Sequence, residues 1–243
     1  MTRRTRRRIV VAVAAGALGA GSPLWLPRAL GSLPAFRVRS VEVVGNRFVA
    51  ARDVERLAAI PSDASVWDPA GAWEARIRTH PLVRDARVSR AGSHALRIRV
   101  REARPVGFVA TPGLLPVDRG GNVLPVDPAV FGLDLPIVRG APNMRGSVVS
   151  SPAVRRLLSL LGRLEDLRPS FVRRVSEVRP LPGDGAELVL VGGSRLSRVR
   201  LPIDSAGRAL LRVEAALAHG GGDAATADAL FRDQVILARG DVR

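Results

Sequence analysis

His80, His94 and His219 are the only imidazoles in this chain, and they lie far apart in sequence. None forms an H-E-x-x-H pair. With no cysteine present, a zinc site needs all three histidines or carboxylates beside them. Satisfied or solvent-facing side chains are the plain reading. All 38 basic residues are arginine, which removes both the Walker A loop and the lysine Schiff base. No G-x-S-x-G elbow is present. Gly220-Gly221-Gly222 follows a helical pattern and precedes Asp223 and small residues, whereas a phosphate cradle follows a strand and opens a helix. The triplet reads as a flexible linker. Aspartates and glutamates are scattered, so no carboxylate pair stands out, and the expectation is a non-enzymatic protein without metal or cofactor.

The formal charge of +16 invites a nucleic-acid reading through phosphate neutralisation and counterion release. Two features weigh against it. Arginine without lysine is as much a coding bias as a phosphate footprint, and aromatics make up 4% of the chain with no tyrosine, which leaves few stacking platforms. No nucleic-acid partner is expected. Attraction of the membrane-proximal region to anionic head groups is the weaker use of the charge.

Arg3, Arg4, Arg6, Arg7 and Arg8 precede an uncharged run from Ile9 to Pro27. As a helix such a run is just long enough to cross a hydrocarbon core, and the positive-inside rule puts the arginines in the cytoplasm and the bulk of the chain outside. Two readings fit the run: a retained anchor over 9–30 behind a cytoplasmic tail 1–8, or a cleaved signal peptide with Ala15-Gly16-Ala17 as the small-residue site. Both export the rest of the chain, and the absence of cysteine leaves its stability to an ordinary core.

Past a Gly31-Ser32-Leu33-Pro34 linker, Phe36 and Val38 alternate, then Val41 and Val43 after a one-residue shift, as in a strand with a bulge. Helices are predicted from Arg52 to Ile60 and from Asp68, with Asp68 as N-cap, Pro69 at the first position, and Trp73 and Ile77 on one face. Strands come next at 83–90 and 96–101. In the second, Leu96, Ile98 and Val100 alternate with Arg97, Arg99 and Arg101. After Arg104-Pro105 come brief strands at 107–110, 114–118 and 122–125. A helix is predicted from about Pro152, with Leu157, Leu158, Leu161 and Leu164 on one face. Strands are then predicted at 172–178, 187–191 and 196–201, a helix at 206–217, and a last strand at 234–238.

These residues carry a resemblance. Phe36-x-Val38-x-x-Val41-x-Val43-x-Gly45-Asn46, His80-Pro81-Leu82-Val83-x-x-Ala86-x-Val88-x-Arg90 and Leu96-x-Ile98-x-Val100-x-Glu102-x-x-Pro105 resemble the POTRA domain of the FtsQ/DivIB cell-division proteins. Val117-Asp118-x-x-Gly121-x-Val123, Leu135-Pro136-Ile137-Val138-x-Gly140 and Asp228-x-x-Phe231-x-x-Gln234-Val235-Ile236-Leu237 are similar to landmarks of that family's second domain. The order covers nearly the whole chain. Departures are the hairpin Ala91-Gly92-Ser93-His94, which lacks an aromatic and a proline, Ala51 in place of a capping hydroxyl, and Ala229-Leu230 in place of Leu-Arg.

The resemblance implies an α+β protein. Its parts would be a single N-terminal transmembrane helix, a β-α-α-β-β POTRA domain at 36–105, and a β-rich domain with two helices at 106–243. It further implies a bitopic divisome scaffold at the septal cell membrane, which binds FtsB- and FtsL-type subunits and helps regulate the septal peptidoglycan synthase. The alternative is an exported soluble carbohydrate-acting or carbohydrate-binding protein. The expected route of partner binding is strand addition at Leu230, Phe231, Gln234, Val235, Ile236 and Leu237. Three consecutive apolar residues, Val235 to Leu237, equally fit a strand buried on both faces. The row Arg97, Arg99 and Arg101 fits a solvated face or a surface for acidic partners.

Overall fold

The computed structural model describes residues 33–192, 195–220 and 222–239. The arginine tail and the anchor expected over 9–30 lie outside the described residues. Among the described residues no helix is long and apolar enough to cross a membrane. The chain divides after Glu102 into two units, Met1–Glu102 and Ala103–Arg243.

In the first unit a 3-10 turn at Pro34–Phe36 leads into β1 (Ser40–Val44), so the shifted alternation of Phe36, Val38, Val41 and Val43 marks this turn rather than a bulge. Next come α1 (Ala51–Ala58), α2 (Gly71–Ile77), β2 (Val83–Arg90) and β3 (Ala95–Glu102). β3 lies in the middle, parallel to β1 and antiparallel to β2. Leu96, Ile98 and Val100 are buried with Val54, Ala58, Trp73 and Ile77 from the helices, while Arg97, Arg99 and Arg101 face out. α2 starts later than its sequence signals suggest. Asp68 does not cap it; its Oδ2 accepts the Ser65 N–H at 2.8 Å, and the helix begins after Ala70 without a side-chain cap. The local turn has taken the carboxylate that the helix needed.

Two residues fix the exit from β1. Gly45 has φ +85°, and a Cβ there would lie 2.4 Å from the Val100 carbonyl oxygen, so both conformation and space demand glycine. One carboxylate then collects the next amides. Glu102, at the end of β3, accepts the N–H groups of Arg47, Phe48 and Val49 at 2.9, 2.7 and 2.9 Å. It thereby orders the approach to α1, whose N-cap, Ala50, offers no side-chain acceptor.

The second unit is built on one sheet. Its strands are β4 (Pro105–Ala110), β5 (Leu114–Asp118), β6 (Ile137–Val138), β9 (Val175–Pro180), β10 (Gly185–Leu190), β11 (Arg198–Pro202), β12 (Ala224–Asp228) and β13 (Ile236–Arg239). Their order is β13-β12-β11-β10-β9-β6-β4-β5, with β7 (Met144–Arg145) and β8 (Val148–Val149) forming a separate hairpin. β4/β6, β6/β9 and β11/β12 are parallel and the remaining pairs antiparallel. The helices are α3 (Pro128–Phe131), α4 (Pro152–Leu167), α5 (Pro169–Val172) and α6 (Ala206–Ala218). α4 packs on β4, β5, β6 and β9, and α6 on β11 and β12. Leu157, Leu158, Leu161 and Leu164 form the buried stripe of α4, as their spacing predicts, and Val154 and Leu160 join them. The strand expected from Val172 starts at Val175, because Pro169 opens a helical turn first.

Replacing Glu102 by Gln keeps the side-chain volume but leaves one carbonyl oxygen and an NH2 group facing three amide donors. A loss of about 1–3 kcal/mol is expected. It is measured as a lower urea midpoint, with Arg99→Gln on the exposed face moving the midpoint by less than about 0.5 kcal/mol.

Candidate partner-docking edge

β13 ends the eight-stranded sheet, and only one of its sides is paired. Ile236 stands opposite Asp228, Leu237 opposite Ala227 and Ala238 opposite Thr226, antiparallel to β12. The residues expected to form the edge are brought together but differ in setting. Leu237 and Val235 are partly buried against the main core, while Ile236 between them is 48% exposed. The strand therefore alternates at a sheet edge and is not buried on both faces. It begins at Ile236, so Gln234 and Val235 precede it and Gln234 is exposed. Leu230 is half-buried, close enough to Gly185 that a Cβ there would meet it at 2.9 Å, and Phe231 is 50% exposed.

Positioning falls to residues that carry no motif in the sequence. Arg212 on α6 donates to the carbonyls of Ala229 and Phe231 at 3.3 and 2.9 Å, and Asp228 Oδ1 accepts the Leu230 N–H at 3.0 Å. The bend between β12 and β13 is thus tied to the helix layer and to β12 together. The spacing of Arg212 along α6 carries no mark of this, because its acceptors are main-chain atoms far along the chain.

On the face away from the helices a ladder of charge crosses the strands. Arg139 contacts Glu177 at 2.5 Å, and Arg179 meets the same carboxylate at 2.7 Å. Arg200 sits 3.1 Å from Glu187 and 3.6 Å from Asp228. Hydrogen bonds from Arg139 first, then Arg179, hold the Glu177 carboxyl at about 2, below its ordinary 4.5. Asp228 ends the ladder, and the next residue across the sheet is exposed Ile236. The edge therefore presents an apolar outer side chain at the end of a row of paired charges.

The family model described as "POTRA domain, FtsQ-type" matches residues 36–103. The protein named "Cell division protein FtsQ" in Rhodothermus marinus is 32% identical over 186 residues, covering 71% of this chain and 63% of that protein. Its namesake in Anaeromyxobacter sp. is 28% identical over 189 residues, covering 70% and 64%. The chain thus spans less than two thirds of the length of these two relatives. Residues 36–103 thus carry an FtsQ-type POTRA domain, and the chain is similar to FtsQ cell-division proteins. A solved structure, the major extracytoplasmic domain of the cell-division protein DivIB from Geobacillus stearothermophilus, aligns at 19% identity over 48% of this chain and 92% of that one, with a TM-score of 0.33.

Within the FtsQ-type POTRA domain, an edge strand is treated differently. The β2 edge is capped by α2: Glu74 accepts the Val88 N–H at 3.0 Å, and Arg78 donates to the Ala86 carbonyl at 3.2 Å. Such side-chain capping blunts strand addition. β5, at the far end of the larger sheet, contains Pro116 and is bridged by Val123 at Val117. Among the described residues no capping bond of this kind falls on β13. Of the exposed arginine row, Arg97 pairs with Glu42 at 2.9 Å, whereas Arg99 and Arg101 have no acidic partner among the described residues. The histidines are not drawn together either. His80 Nδ1 accepts the Leu82 N–H at 3.2 Å, His219 Nδ1 is 2.8 Å from the Ala215 carbonyl, and His94 Nδ1 is buried without a partner.

Because the Glu177 carboxyl has a lower pKa folded than unfolded, its contribution to stability is complete above about 4.5 and is lost as the pH falls toward about 2. Glu177→Gln should flatten that part of the acid limb. Urea midpoints of the two proteins, separated at neutral pH, should converge as the pH falls through this window.

Proposed function

We propose that this chain is a non-enzymatic, single-pass scaffold of bacterial cell division that receives a partner strand on β13. In this reading the tail 1–8 lies in the cytoplasm, 9–30 is the anchor, and the two units at 36–105 and 106–243 stand outside the cell membrane at the septum. The partners are FtsB- and FtsL-type subunits, and through them the scaffold helps regulate septal peptidoglycan synthesis. The FtsQ-type POTRA domain and the relatives named for cell division support the general role. The observation that carries the docking mode is the contrast between edges. β2 is capped by side chains from its own unit, whereas β13 is tied at its entry by Arg212 and leaves its outer side open.

Strand addition supplies affinity through main-chain hydrogen bonds, and side chains beside the edge supply choice. A partner strand would meet Ile236 on the outer face and the partly buried Leu237 on the inner face. Phe231, half exposed at the bend, offers an aromatic anchor of the kind that carries interface energy.

Successive residues of an edge strand direct their N–H groups to opposite sides, so Ile236→Pro and Leu237→Pro have different effects. One of them removes a donor from the free side and should abolish capture of an FtsB-type extracytoplasmic segment by the full-length chain while the thermal transition is kept. The other breaks the β12 ladder and lowers that transition. Undiminished capture by both variants places the docking surface elsewhere.

A further inference from the structure

The helix layer of the second unit carries a groove unrelated to β13. It holds about 360 Å³ between the C-terminal half of α4, the adjoining Arg168 and the first turns of α6. Buried Leu164, Leu210 and Ala206 form its floor. Leu167 and Leu211 stand at its sides, 56% and 50% exposed, so two of the large exposed apolar side chains converge on one depression. Scattered singly such residues are ordinary, but grouped over an apolar floor they mark an interaction site. Gly207 keeps the groove open, since a Cβ there would lie 2.9 Å from Leu167 Cδ1.

Charge selects the occupant. Arg163, Arg168 and Arg208 surround the groove, and Asp204 is the one acid among its lining residues. Asp204 already faces Arg156 at 3.4 Å. Arg163 is held by its bonds to the Ile203 carbonyl and Ser159 Oγ, both 2.8 Å, and Arg168 lies 3.5 Å from Glu214. Arg208 has no ion-pair partner among the described residues. A second copy of this chain, at +16, would set arginine against arginine. The groove also runs between two helices, with no sheet edge to pair an extended segment, and the grooves between ridges of helical side chains accept the ridges of another helix.

We propose that this groove docks an amphipathic helix from an acidic partner, with apolar side chains seated between Leu167 and Leu211 and carboxylates meeting Arg208 and Arg163. The groove includes no residue of β13, so one polypeptide partner or two can engage the unit at once.

The test uses the full-length chain in detergent and a synthetic helical peptide with leucines along one face and glutamates on the other. A version with lysine in place of glutamate and anionic phosphatidylglycerol vesicles serve as the competing probes. The acidic peptide should bind, and Leu211→Asp should weaken it about tenfold or more, as expected for losing one buried leucine and adding a repelling charge. Arg208→Glu should weaken it as well and partly restore binding of the lysine peptide. Both substitutions are at exposed positions, and an unchanged melting temperature shows that the fold is retained. Equal binding of the two peptides, or binding unchanged by either substitution, overturns the proposal. Vesicle binding that is lost in Leu211→Asp, with no acidic-peptide binding, overturns it in favour of a lipid-facing groove.

Discussion

The parallel pairing of β12 with β11 is the join on which the β13 edge, the proposed docking strand, depends. It is short, matching Arg198 with Thr226, Val199 with Ala227 and Arg200 with Asp228. β12 brings almost no side-chain volume, since three of its five residues are alanine, and so it adds little hydrophobic stabilisation of its own. Its place is kept by main-chain hydrogen bonds, by the close approach of small buried residues Ala224 and Ala227 under α6, and by the Arg200–Asp228 contact. β13 is then hung on β12 and tied back to α6 through Arg212. An edge assembled this way has its geometry set by backbone and charge, and its outer side is not filled by packing.

The first unit applies the opposite rule to a similar problem. An edge strand leaves half of its N–H and C=O groups without a sheet partner, and these must be met by water, side chains or another chain. Glu74 and Arg78 meet two of them on β2, and the same two side chains lie 3.6 Å from each other along α2. That pair satisfies the strand from within, so added affinity from a visiting strand would have to exceed the cost of displacing a charged cap. Among the described residues no charged cap of that kind lies on β13. The contrast between the two edges, more than the exposure of any single residue, directs the choice of docking strand.

Much of this was legible from sequence, and the reasons differ by element. β3 shows a strict period of two because one face of its sheet is buried and the other is wet, and the α4 leucines show a helical period because a single stripe meets the sheet. Gly45 and Glu102 were visible as motif residues, and the structure supplies their physics: a positive φ against the Val100 carbonyl and a carboxylate shared by three amides. β12 was illegible. Ala-Ala-Thr-Ala-Asp has neither alternation nor β-branched enrichment, since its partners are backbone and a close helix, and it reads as part of a linker after the glycines. Asp68 misled because a local turn and a helix cap ask for the same carboxylate. The proposed docking segment was visible as an apolar run, but its edge position depends on strand order, and Arg212 binds carbonyls, which no residue pattern records.

The arginine content takes on a different meaning once the side chains are placed. Arg139, Arg179 and Arg200 pair with Glu177, Glu187 and Asp228 across the outer face, so these arginines bind strands together, while the net excess of positive charge resides in other arginines. Arginine suits that use, because its planar fork stays charged and spans neighbouring strands where lysine offers a single point. The ladder ends at Asp228, and the next position outward is Ile236. A strand that joined there would meet an apolar neighbour on the outer face beside charges already satisfied. In the proposed docking mode, main-chain pairing and apolar fit at Ile236 act beside the positive charge of exposed Arg232 and Arg239. Among the described residues, Arg208 beside the helix groove and Arg99 and Arg101 on the POTRA sheet have no ion-pair partner, and neither do the exposed Arg232 at the bend and Arg239 on β13. The two proposed docking surfaces therefore differ in architecture, a sheet edge at β13 and a groove between α4 and α6, more than in the sign of the charge around them.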